Sequence, residues 1–533
     1  MDDLLIRGGV VIDGSGAAGL IADIAIQSDR ITAIAPNYPG LARRVIDAAG
    51  QVVAPGFIDI HTHSDFTLPV NPRAESMIRQ GVTTQVLGNC GFSAAPALPG
   101  RVDMLRDYLS ANAPWLSFSE TTFAEYMDTF PTTSVNTIMQ VGHNTLRLMA
   151  TGMENRPPTS DELAAMERLL QEALDAGALG LSSGLFTPPG AYSRPDELTR
   201  LGQVLRRCGA AYASHIRNEA EGVFEAVREA IALGETCGVH AQIAHLKLSG
   251  SDSWGGAGRL LEEIGAARRR GVRVDCDQYP YTTATNPLRN LLPTWVQEGG
   301  IQAMLERLRE PVIRTRIREE IAARGFGPFG RLPSWNAVRV AISPQHPEDA
   351  GRTIGDIARS RSCDPLDAVC DHVLADRGAT RVLMDSMAED DVREILRAPW
   401  VLVGSDGHAL APYGVTGQGK PHPRYYGTFP RVLGHYVREL GLLTLPQAIH
   451  KMTGGSAAAL GLVDRGLLRK GYRADVTIFD PATVTERATY DDPHQYPAGI
   501  STVIVNGVVV VDGGEHTGAL PGRVLRRGPR GVA

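Results

Sequence analysis

Six side chains of the kinds that bind metal ions stand at the ends of five separate apolar runs in this chain. The runs end in IDIHTH, VLGNCG, YASHIRNE, QIAHLK and LVGSDG, and the six residues are His61, His63, Cys90, His215, His245 and Asp406. In a barrel of parallel strands, the carboxyl ends of all strands open onto one face, where active sites are built. This placement therefore predicts a parallel barrel with a metal site at that face.

The first pair of histidines follows an apolar run at 57–60, which predicts a buried strand. His61 and His63 are two residues apart, so both imidazoles leave the same face of that strand. Two surface histidines at a strand end would give the same pattern. Each of the other four residues, taken singly, also has an ordinary explanation, such as a buried histidine, an inert thiol or a helix N-cap. Their coincidence favours a metal site, and imidazole, thiolate and carboxylate are ligands suited to Zn²⁺.

The middle of the chain alternates strand-like and helix-like segments. Apolar runs of strand length occur at 57–61, 84–89, 136–142, 178–183, 210–214, 240–245, 271–276 and 400–405. Amphipathic segments separate them, the clearest being TSDELAAMERLLQEALDAG, where Thr159 and Glu162 form a capping box and Gly177 ends the helix. Eight such units predict an α/β chain with a TIM-like (β/α)8 barrel. The alternative is an open doubly wound sheet, which is typically marked by a Gly-rich phosphate turn after its first strand, and none is present.

Both ends of the chain are rich in short strands with Gly and Asp turns. The Asn-Gly pair at 506–507 lies between apolar alternations and predicts a hairpin. Neither end has enough strands to bury a sheet face by itself. We therefore expect residues 1–55 and 465–533 to close one small β domain beside a catalytic barrel at 56–464. A Pro- and Arg-rich stretch at about 285–395 interrupts the alternation of strands and helices, which predicts an insertion or lid between the last two barrel strands.

Composition and net charge limit which binding partners and which cellular compartment we expect for this protein. The chain has 533 residues and a net charge of −6, which argues against nucleic acid or an anionic membrane as the main partner. No stretch reaches the roughly 18 apolar residues of a membrane span, and the acidic start MDDLLIRGG shows no signal peptide. The six cysteines form no CxxC pair, a usage typical of a reducing, cytoplasmic location. Assembly into an oligomer stays open.

Longer motifs resemble a known family over essentially the whole chain. PGFIDIHTH, GSDG and GLVDRGLLRKGYRADVTIFDP are similar to sequences of the amidohydrolase superfamily. More narrowly, GNCG, SSGL, SHIRNE, AHLK, QYPY and HPRYYGTFPRVLG resemble the N-acyl-D-amino-acid deacylases, or D-aminoacylases. The resemblance implies zinc-dependent hydrolysis of the linear amide bond of N-acyl-D-amino acids, which releases a carboxylate and a free D-amino acid.

The resemblance also implies a site with one or two zinc ions. The histidines of IDIHTH would lie on one side of it, and His215 and His245 on the other. Cys90 would sit in or between the two metal positions, in the role that a carbamylated lysine has in many relatives. Asp406 would touch both metal and water. A single carboxylate that takes a proton from water and returns it to the leaving amine suits hydrolysis of a linear amide.

Three other residues at the same face are candidates for holding the substrate. The resemblance implies that Arg424 in HPR and Tyr279 in QYPY grip the α-carboxylate of the substrate. Lys247 points the same way as His245 if the strand persists. A guanidinium binds a carboxylate in bidentate fashion, which fixes a chiral centre. Each of these residues alone is otherwise typical of a solvated surface.

Further positions allow two interpretations each. His143 in VGHN and Tyr192 after SSGLFTPPG either donate to a developing oxyanion or form structural hydrogen bonds. Glu219 either orients a ligand histidine or begins the next helix, the interpretation that we favour from the sequence. If Arg289 reaches the pocket, acidic acyl-amino acids become candidate substrates; if it faces water, Leu, Met or Phe side chains fit better. The stretch 407–423 holds four Gly and three Pro and looks longer than in D-aminoacylases, which predicts a pocket wall or lid.

Three other functions stay open at this point. A D-residue-releasing dipeptidase would use the same carboxylate clamp. A cyclic-amide hydrolase, such as a hydantoinase or dihydroorotase, usually needs a lysine on an early strand for carbamylation, and Cys90 takes that place here. A non-catalytic barrel scaffold typically loses metal ligands, and this chain keeps all six. A small N-acyl amino acid is therefore the expected partner.

Overall fold

Eight short parallel strands form the centre of the fold. The structure, a computed structural model, describes residues 1–533. The barrel strands are Phe57–Asp59, Val82–Leu87, Asn136–Met139 continued by Val141–Gly142, Gly180–Gly184, Ala211–His215, Ala241–Ile243, Val274–Gln278 and Val401–Val403. Each overlaps one of the apolar runs, and strands that follow each other in sequence are neighbours in space. The predicted (β/α)8 barrel is confirmed.

The barrel closes where its eighth strand meets its first. The backbone N–H of Asp406 donates to the carbonyl oxygen of His61 at 2.9 Å. Just before these residues, the Asp59 carboxylate accepts bonds from the backbone N–H and the hydroxyl of Ser405, at 2.9 and 2.5 Å. Burial raises the pKa of Asp59 to about 7, against the opposing effect of the bonds from Ser405. These contacts bring two strand ends that carry ligand-type residues side by side.

Helices connect the barrel strands. Between the strands they are Glu75–Ile78, Val102–Leu109, Phe123–Thr129, His143–Ala150, Ser160–Asp175, Pro195–Cys208, Val223–Cys237, Ala257–Arg269 and Glu389–Arg397. After the last strand come Arg424–Arg431, the π-helix Val432–Glu439, Leu445–Met452 and Gly454–Leu460. The predicted capping box is confirmed at Thr159 and Glu162, and Gly177 beyond that helix has a φ of 100°, which suits only glycine. None of the helices is both long and apolar enough to cross a bilayer.

The predicted insertion lies between the seventh and eighth barrel strands and has its own fold. In spatial order, the strands Thr283–Pro287, Arg381–Asp385 and Val338–Ile342 form an antiparallel sheet. The helices of the insertion are Ile301–Arg309, Pro311–Arg324, Ile354–Arg361 and Pro365–Ala375. This long segment outside the barrel is therefore folded, and strand pairing fixes where its residues lie.

Strands from both ends of the chain form a second sheet, here called the terminal sheet. Its strands are Asp2–Val11, Leu20–Gln27, Arg30–Ala35, Ala42–Asp47, Val52–Pro55, Val476–Phe479, Ile500–Val505, Val508–Asp512 and Glu515–His516. Antiparallel pairing of Val52–Pro55 with Val476–Phe479 joins its two halves. The hairpin predicted at 506–507 is present, since Val505 pairs with Val508. The division into domains after residues 55 and 464 stays a prediction.

The last residues of the chain do not extend the terminal sheet. The strand Val524–Leu525 pairs in parallel with the barrel strand Asn136–Met139. Arg527–Gly528 and Gly531–Val532 then form a small antiparallel pair. After the terminal sheet ends, the tail of the chain therefore returns to the barrel.

A buried polar network ties the terminal sheet to the barrel. The guanidinium of Arg465 pairs with the Asp475 carboxylate and donates to the Asn506 side-chain oxygen at 2.8 Å. The Asn506 amide in turn donates to the side-chain oxygen of Asn136, the first residue of the third barrel strand, at 2.8 Å. All four side chains are buried. In this network, the buried charge of Asp475 is balanced by the guanidinium of Arg465.

We expect Arg465→Met to destabilise the protein strongly. Removal of the guanidinium leaves the Asp475 carboxylate buried and unpaired, which costs about 3–5 kcal/mol in the free energy of unfolding. Urea denaturation of the variant and the wild type measures this difference. The control is Arg469→Met, which changes an exposed arginine four residues away. Equal stability of the two variants would contradict the structural role of the network.

Candidate metal centre and substrate pocket

The ligand-type residues come together at one face of the barrel. Within each of two groups, the potential ligand atoms all lie within 4.8 Å of one another. The first group is His61, His63, Cys90 and Asp406, and the second is Cys90, His215 and His245. The thiol belongs to both groups, so it lies between them. All of these residues except His63 are buried.

The separations between the donor atoms suit a metal ion. Cys90 Sγ lies 3.2 Å from His61 Nε2 and 3.4 Å from His245 Nε2. His245 Nε2 lies 2.9 Å from His215 Nδ1. A tetrahedral shell with Zn–N bonds of about 2.0 Å and Zn–S bonds of about 2.3 Å separates neighbouring donors by about 3.3–3.5 Å. The kinds of donor and their spacing therefore fit a Zn²⁺ ion.

Three of these residues have a backbone conformation that L-residues rarely adopt. Cys90, His245 and Asp406 have φ values of 54°, 34° and 48°. A non-glycine residue in this left-handed region costs on the order of 1–3 kcal/mol, and it persists only where the surrounding structure fixes it. Each of the three residues follows the end of a barrel strand. The turn after the strand, and not the strand itself, therefore sets the direction of these side chains.

Asp277 orients His61 and was not predicted from the sequence. It lies in the seventh barrel strand and is completely buried. Its Oδ1 lies 3.0 Å from His61 Nδ1 and accepts a bond from the backbone N–H of His245 at 2.9 Å. Gln242 donates to its other oxygen at 2.6 Å. Because a carboxylate on Nδ1 fixes the ring, Nε2 of His61 is left to face the donor cluster.

Glu219 and Lys247 contact the two later histidines. Glu219 Oε1 lies 3.3 Å from His215 Nε2 and 3.2 Å from His245 Nδ1. Lys247 Nζ lies 2.5 Å from that oxygen and 2.6 Å from His245 Nδ1. Glu219 therefore orients both rings. The interpretation that it begins the next helix is wrong, because that helix begins at Val223. The ammonium group of Lys247, a candidate for binding the substrate, is paired with Glu219.

Arg424 is paired with Asp406 at the edge of the donor cluster. Its Nη2 lies 2.9 Å from Asp406 Oδ2, and the other carboxylate oxygen lies 3.1 Å from His63 Nε2. Burial alone would raise the pKa of Asp406, but Arg424 and the neighbouring histidines hold it well below its usual range. The guanidinium lies 4.4 Å from the centre of the Tyr279 ring, and its buried Nε and Nη1 have no hydrogen-bond partner. These two N–H donors are free for an anionic ligand.

Burial sets the protonation of the remaining donors. It lowers the pKa values of His215 and His245 well below the usual value, so both imidazoles are neutral, the form that binds a metal. Cys90 is one of six free cysteines, and burial raises the pKa of its thiol to about 11, against the opposing effect of His61. The thiol must therefore lose a proton if it is to bind a cation at neutral pH.

His143 and Tyr192 form hydrogen bonds outside the donor cluster. His143 Nε2 lies 2.7 Å from Glu197 Oε1, and the same carboxylate pairs with the buried Arg147. The Tyr192 hydroxyl donates to the carbonyl oxygen of Thr294 at 2.9 Å. Neither residue lines the pocket beside the donors. Of the two interpretations that the sequence left open, these contacts correspond to the structural one.

A pocket opens beside the donor cluster, between the barrel and the insertion. Its walls include Phe92, Asn112 and Phe186 from the barrel loops and Thr285, Asn286, Pro287 and Arg381 from the insertion. It adjoins a side cavity of about 170 Å³, whose walls include Trp115, Leu410, Val415, Thr416 and His422. Asn112, Thr285 and Arg381 border both spaces. The insertion and the 407–423 loop therefore both form walls around the site.

Residues 44–511 match the sequence model of the Amidohydrolase family. The chain belongs to the amidohydrolase family.

Two curated relatives and a solved structure place it within that family. This amidohydrolase is 39% identical to N-acyl-D-aspartate deacylase from Alcaligenes xylosoxydans xylosoxydans over 99% of this chain and 95% of the relative. It is 37% identical to D-aminoacylase from the same organism over 98% of both chains. The solved structure is that of N-acyl-D-glutamate deacylase from Bordetella bronchiseptica, complexed with zinc and a phosphonate mimic of the tetrahedral intermediate. Its TM-score with this protein is 0.82, and the two sequences are 36% identical. The match covers 98% of this chain and 99% of that one. The resemblance seen in the motifs is confirmed.

We expect binding of zinc at this cluster to release a proton from Cys90. Because burial keeps the thiol protonated at neutral pH, the wild type should release about one proton more per protein molecule on zinc binding than Cys90→Ala does. Calorimetric titration of the metal-depleted proteins with Zn²⁺, in two buffers of different ionisation enthalpy, measures this number. Equal proton release from both proteins would show that the thiol is not a ligand.

Proposed function

We propose that this amidohydrolase is a zinc-dependent N-acyl-D-amino-acid deacylase. It would hydrolyse the linear amide bond of a small N-acyl-D-amino acid and release a carboxylate and a free D-amino acid. The observation that carries the proposal is the Arg424–Asp406 pair beside the converged donor atoms. The relatives support it, because they are a D-aminoacylase and deacylases of N-acyl-D-aspartate and N-acyl-D-glutamate.

Side chains of both donor groups would hold the metal. Cys90, His215 and His245 would form one position, and the histidines of IDIHTH with Asp406 would form the other, with the thiol shared between them. Zinc bound there supplies a hydroxide nucleophile at neutral pH and polarises the amide carbonyl. We expect one or two zinc ions at this site.

Asp406 would move the proton that amide hydrolysis requires. Its low pKa keeps the carboxylate ionised at neutral pH, so it can accept a proton from the attacking water and return it to the leaving amine. An unprotonated amine is a poor leaving group, so both transfers are needed. Substrate binding would also tune this group. A substrate carboxylate that neutralises Arg424 would weaken one cation beside Asp406 and raise the pKa of Asp406 toward that of an effective base.

Arg424 and Tyr279 would hold the α-carboxylate of the substrate. A guanidinium has five N–H donors, so Arg424 can keep its bond to Asp406 while its free donors bind a second carboxylate. The guanidinium lies over the Tyr279 ring, a cation–π contact that helps to hold it in place. A carboxylate held at this point orients the neighbouring chiral carbon relative to the metal donors. The preference for the D-enantiomer is taken from the relatives.

The alternative functions have less support. A cyclic-amide hydrolase is disfavoured, because the relatives at 37% and 39% identity are a D-aminoacylase and an N-acyl-D-aspartate deacylase. A scaffold without activity would not need the converged donors or the free guanidinium donors. A dipeptidase that releases D-residues would use the same clamp, and only assays distinguish it from a deacylase. The cytoplasmic location is also proposed here, on the basis of cysteine usage.

The proposal predicts stereospecific release of amine that depends on zinc. We expect the zinc-loaded protein to release free amine from N-acetyl-D-Leu, -Met, -Phe or -Glu roughly 100-fold faster than from the L-enantiomer of the same compound. Chelation should abolish the reaction, and added zinc should restore it. A colorimetric assay for free amine, with each D and L pair at equal concentration, measures both effects.

Asp406→Asn is the control that separates chemistry from binding in this assay. It should lower kcat by about 10²–10⁴-fold, the range for loss of a general acid–base group, and change KM little. A near-normal rate in this variant would exclude the proton-transfer role. Hydrolysis of none of the D-compounds by the wild type would exclude the deacylase function.

Arg424→Met should weaken recognition of the carboxylate. Loss of a charge-assisted hydrogen bond costs about 1.5–3 kcal/mol, so kcat/KM should fall about 10- to 150-fold, mainly through KM. The acidic limb of the pH–rate profile should also move to higher pH, because Arg424 lowers the pKa of Asp406. The matched control is Arg431→Met, at the other end of the same helix, where the arginine pairs with Glu486. Equal losses in both variants would rule out the clamp.

A further inference from the structure

A second arginine lies at the boundary between the pocket and the side cavity. Arg381 begins the strand Arg381–Asp385 of the insertion sheet, where it pairs with Pro287. Both of these residues line the pocket beside the metal donors. Arg381 also borders the side cavity. The register of the insertion sheet therefore fixes a guanidinium-bearing residue at the edge of the proposed active site.

Arg381 has no acidic partner in the structure. Its one side-chain hydrogen bond runs from Nη1 to the Oδ1 of Asn112, a neutral group. The charge of Arg381 acts on three titratable groups, which are His63, His408 and Arg289. Burial lowers the pKa of each group, and Arg381 lowers it further. None of these neighbours can neutralise a cation. The guanidinium is held in place by an amide but carries an unbalanced charge.

The charges of the pocket leave a position for a second anion. Asp406 is the single carboxylate among the residues that line the pocket, and it is paired with Arg424. The α-carboxylate of the substrate would bind to Arg424. Arg381 then remains a half-buried cation, and removing such a charge from water is costly unless an anion pairs with it. A substrate with one carboxylate would leave this cost in place, whereas a substrate with two would remove it.

Arg289, which the sequence suggested for this role, lies elsewhere. It is buried and lies in the short turn Leu288–Leu291 that follows the first strand of the insertion. Its Nη2 donates to the carbonyl oxygen of Tyr108 at 2.5 Å. It is not among the residues that line the pocket beside the donors. Recognition of an acidic side chain would therefore need a different cation.

We propose that Arg381 binds the side-chain carboxylate of an N-acyl-D-glutamate or N-acyl-D-aspartate, so that acidic N-acyl-D-amino acids are the preferred substrates. This inference rests on the proposed deacylase function and adds a specificity residue to it. Arg424 binds the α-carboxylate, Arg381 binds the second carboxylate, and Asn112 holds the Arg381 guanidinium in position. The apolar walls of the side cavity, such as Trp115 and Leu410, suit the acyl group.

The test compares N-acetyl-D-Glu, N-acetyl-D-Asp and N-acetyl-D-Leu on the zinc-loaded protein. We expect kcat/KM of the wild type to be at least about 10-fold higher for one of the acidic compounds than for N-acetyl-D-Leu, because only an acidic side chain pairs with the guanidinium. In Arg381→Met, kcat/KM for that acidic compound should fall about 10- to 100-fold, mainly through KM. The value for N-acetyl-D-Leu should change little. Arg381→Lys should keep part of the acidic preference, because it keeps the charge.

The matched control is Arg339→Met, on the neighbouring strand of the same sheet. The Arg339 side chain faces Asp491 and not the pocket, so all three kcat/KM values should stay at the wild-type level. An equal loss for all three substrates in Arg381→Met would assign Arg381 a merely structural role and overturn the inference. A wild-type preference for N-acetyl-D-Leu would also overturn it and leave the deacylase function intact. Hydrolysis of none of the three compounds would overturn both proposals.

Discussion

The meeting of the eighth barrel strand with the first is the contact on which the site depends. His61 and Asp406 belong to the same donor group, and a backbone hydrogen bond of 2.9 Å joins them directly. Asp59 lies two residues before His61, and its buried carboxylate accepts hydrogen bonds from the backbone N–H and the hydroxyl of Ser405. Buried polar groups must be paired, and a shift of one residue would leave this carboxylate without its partner. The same register that satisfies Asp59 therefore brings the imidazole and the carboxylate together.

The part of the site that could be predicted is the part that depends on strand ends. His215 and His245 needed only the apolar pattern, because parallel strands in a barrel end at one face. The left-handed turn that directs His245 has no glycine or asparagine to mark it, so no local signal predicted it. Asp277 was missed for a related reason. It is one of three polar residues in the strand VDCDQ, and its partner His61 is remote in the sequence.

Residues whose partners come from other segments could not be assigned from the sequence. His143 follows a strand as the ligand candidates do, yet Glu197 from a later helix holds its imidazole. Proximity to QYPY suggested Arg289 as a substrate contact, whereas the fold brings Arg381 from the end of the insertion to the pocket. The contact that brings Arg381 to the pocket is the strand pairing of Arg381 with Pro287. Such register is set by packing between distant segments, and a single sequence gives no local pattern for it.

The charges of the cluster link metal, substrate and chemistry. Burial keeps His215 and His245 neutral and the Cys90 thiol protonated, so these three donors are buried without any charge. A bound dication would be balanced directly by the Cys90 thiolate left by the released proton and by the Asp406 carboxylate, which limits the cost of burying it. Arg424 opposes that balance until an anionic substrate neutralises it. Neutralisation of Arg424 by an anionic ligand would remove one cause of the low pKa of Asp406.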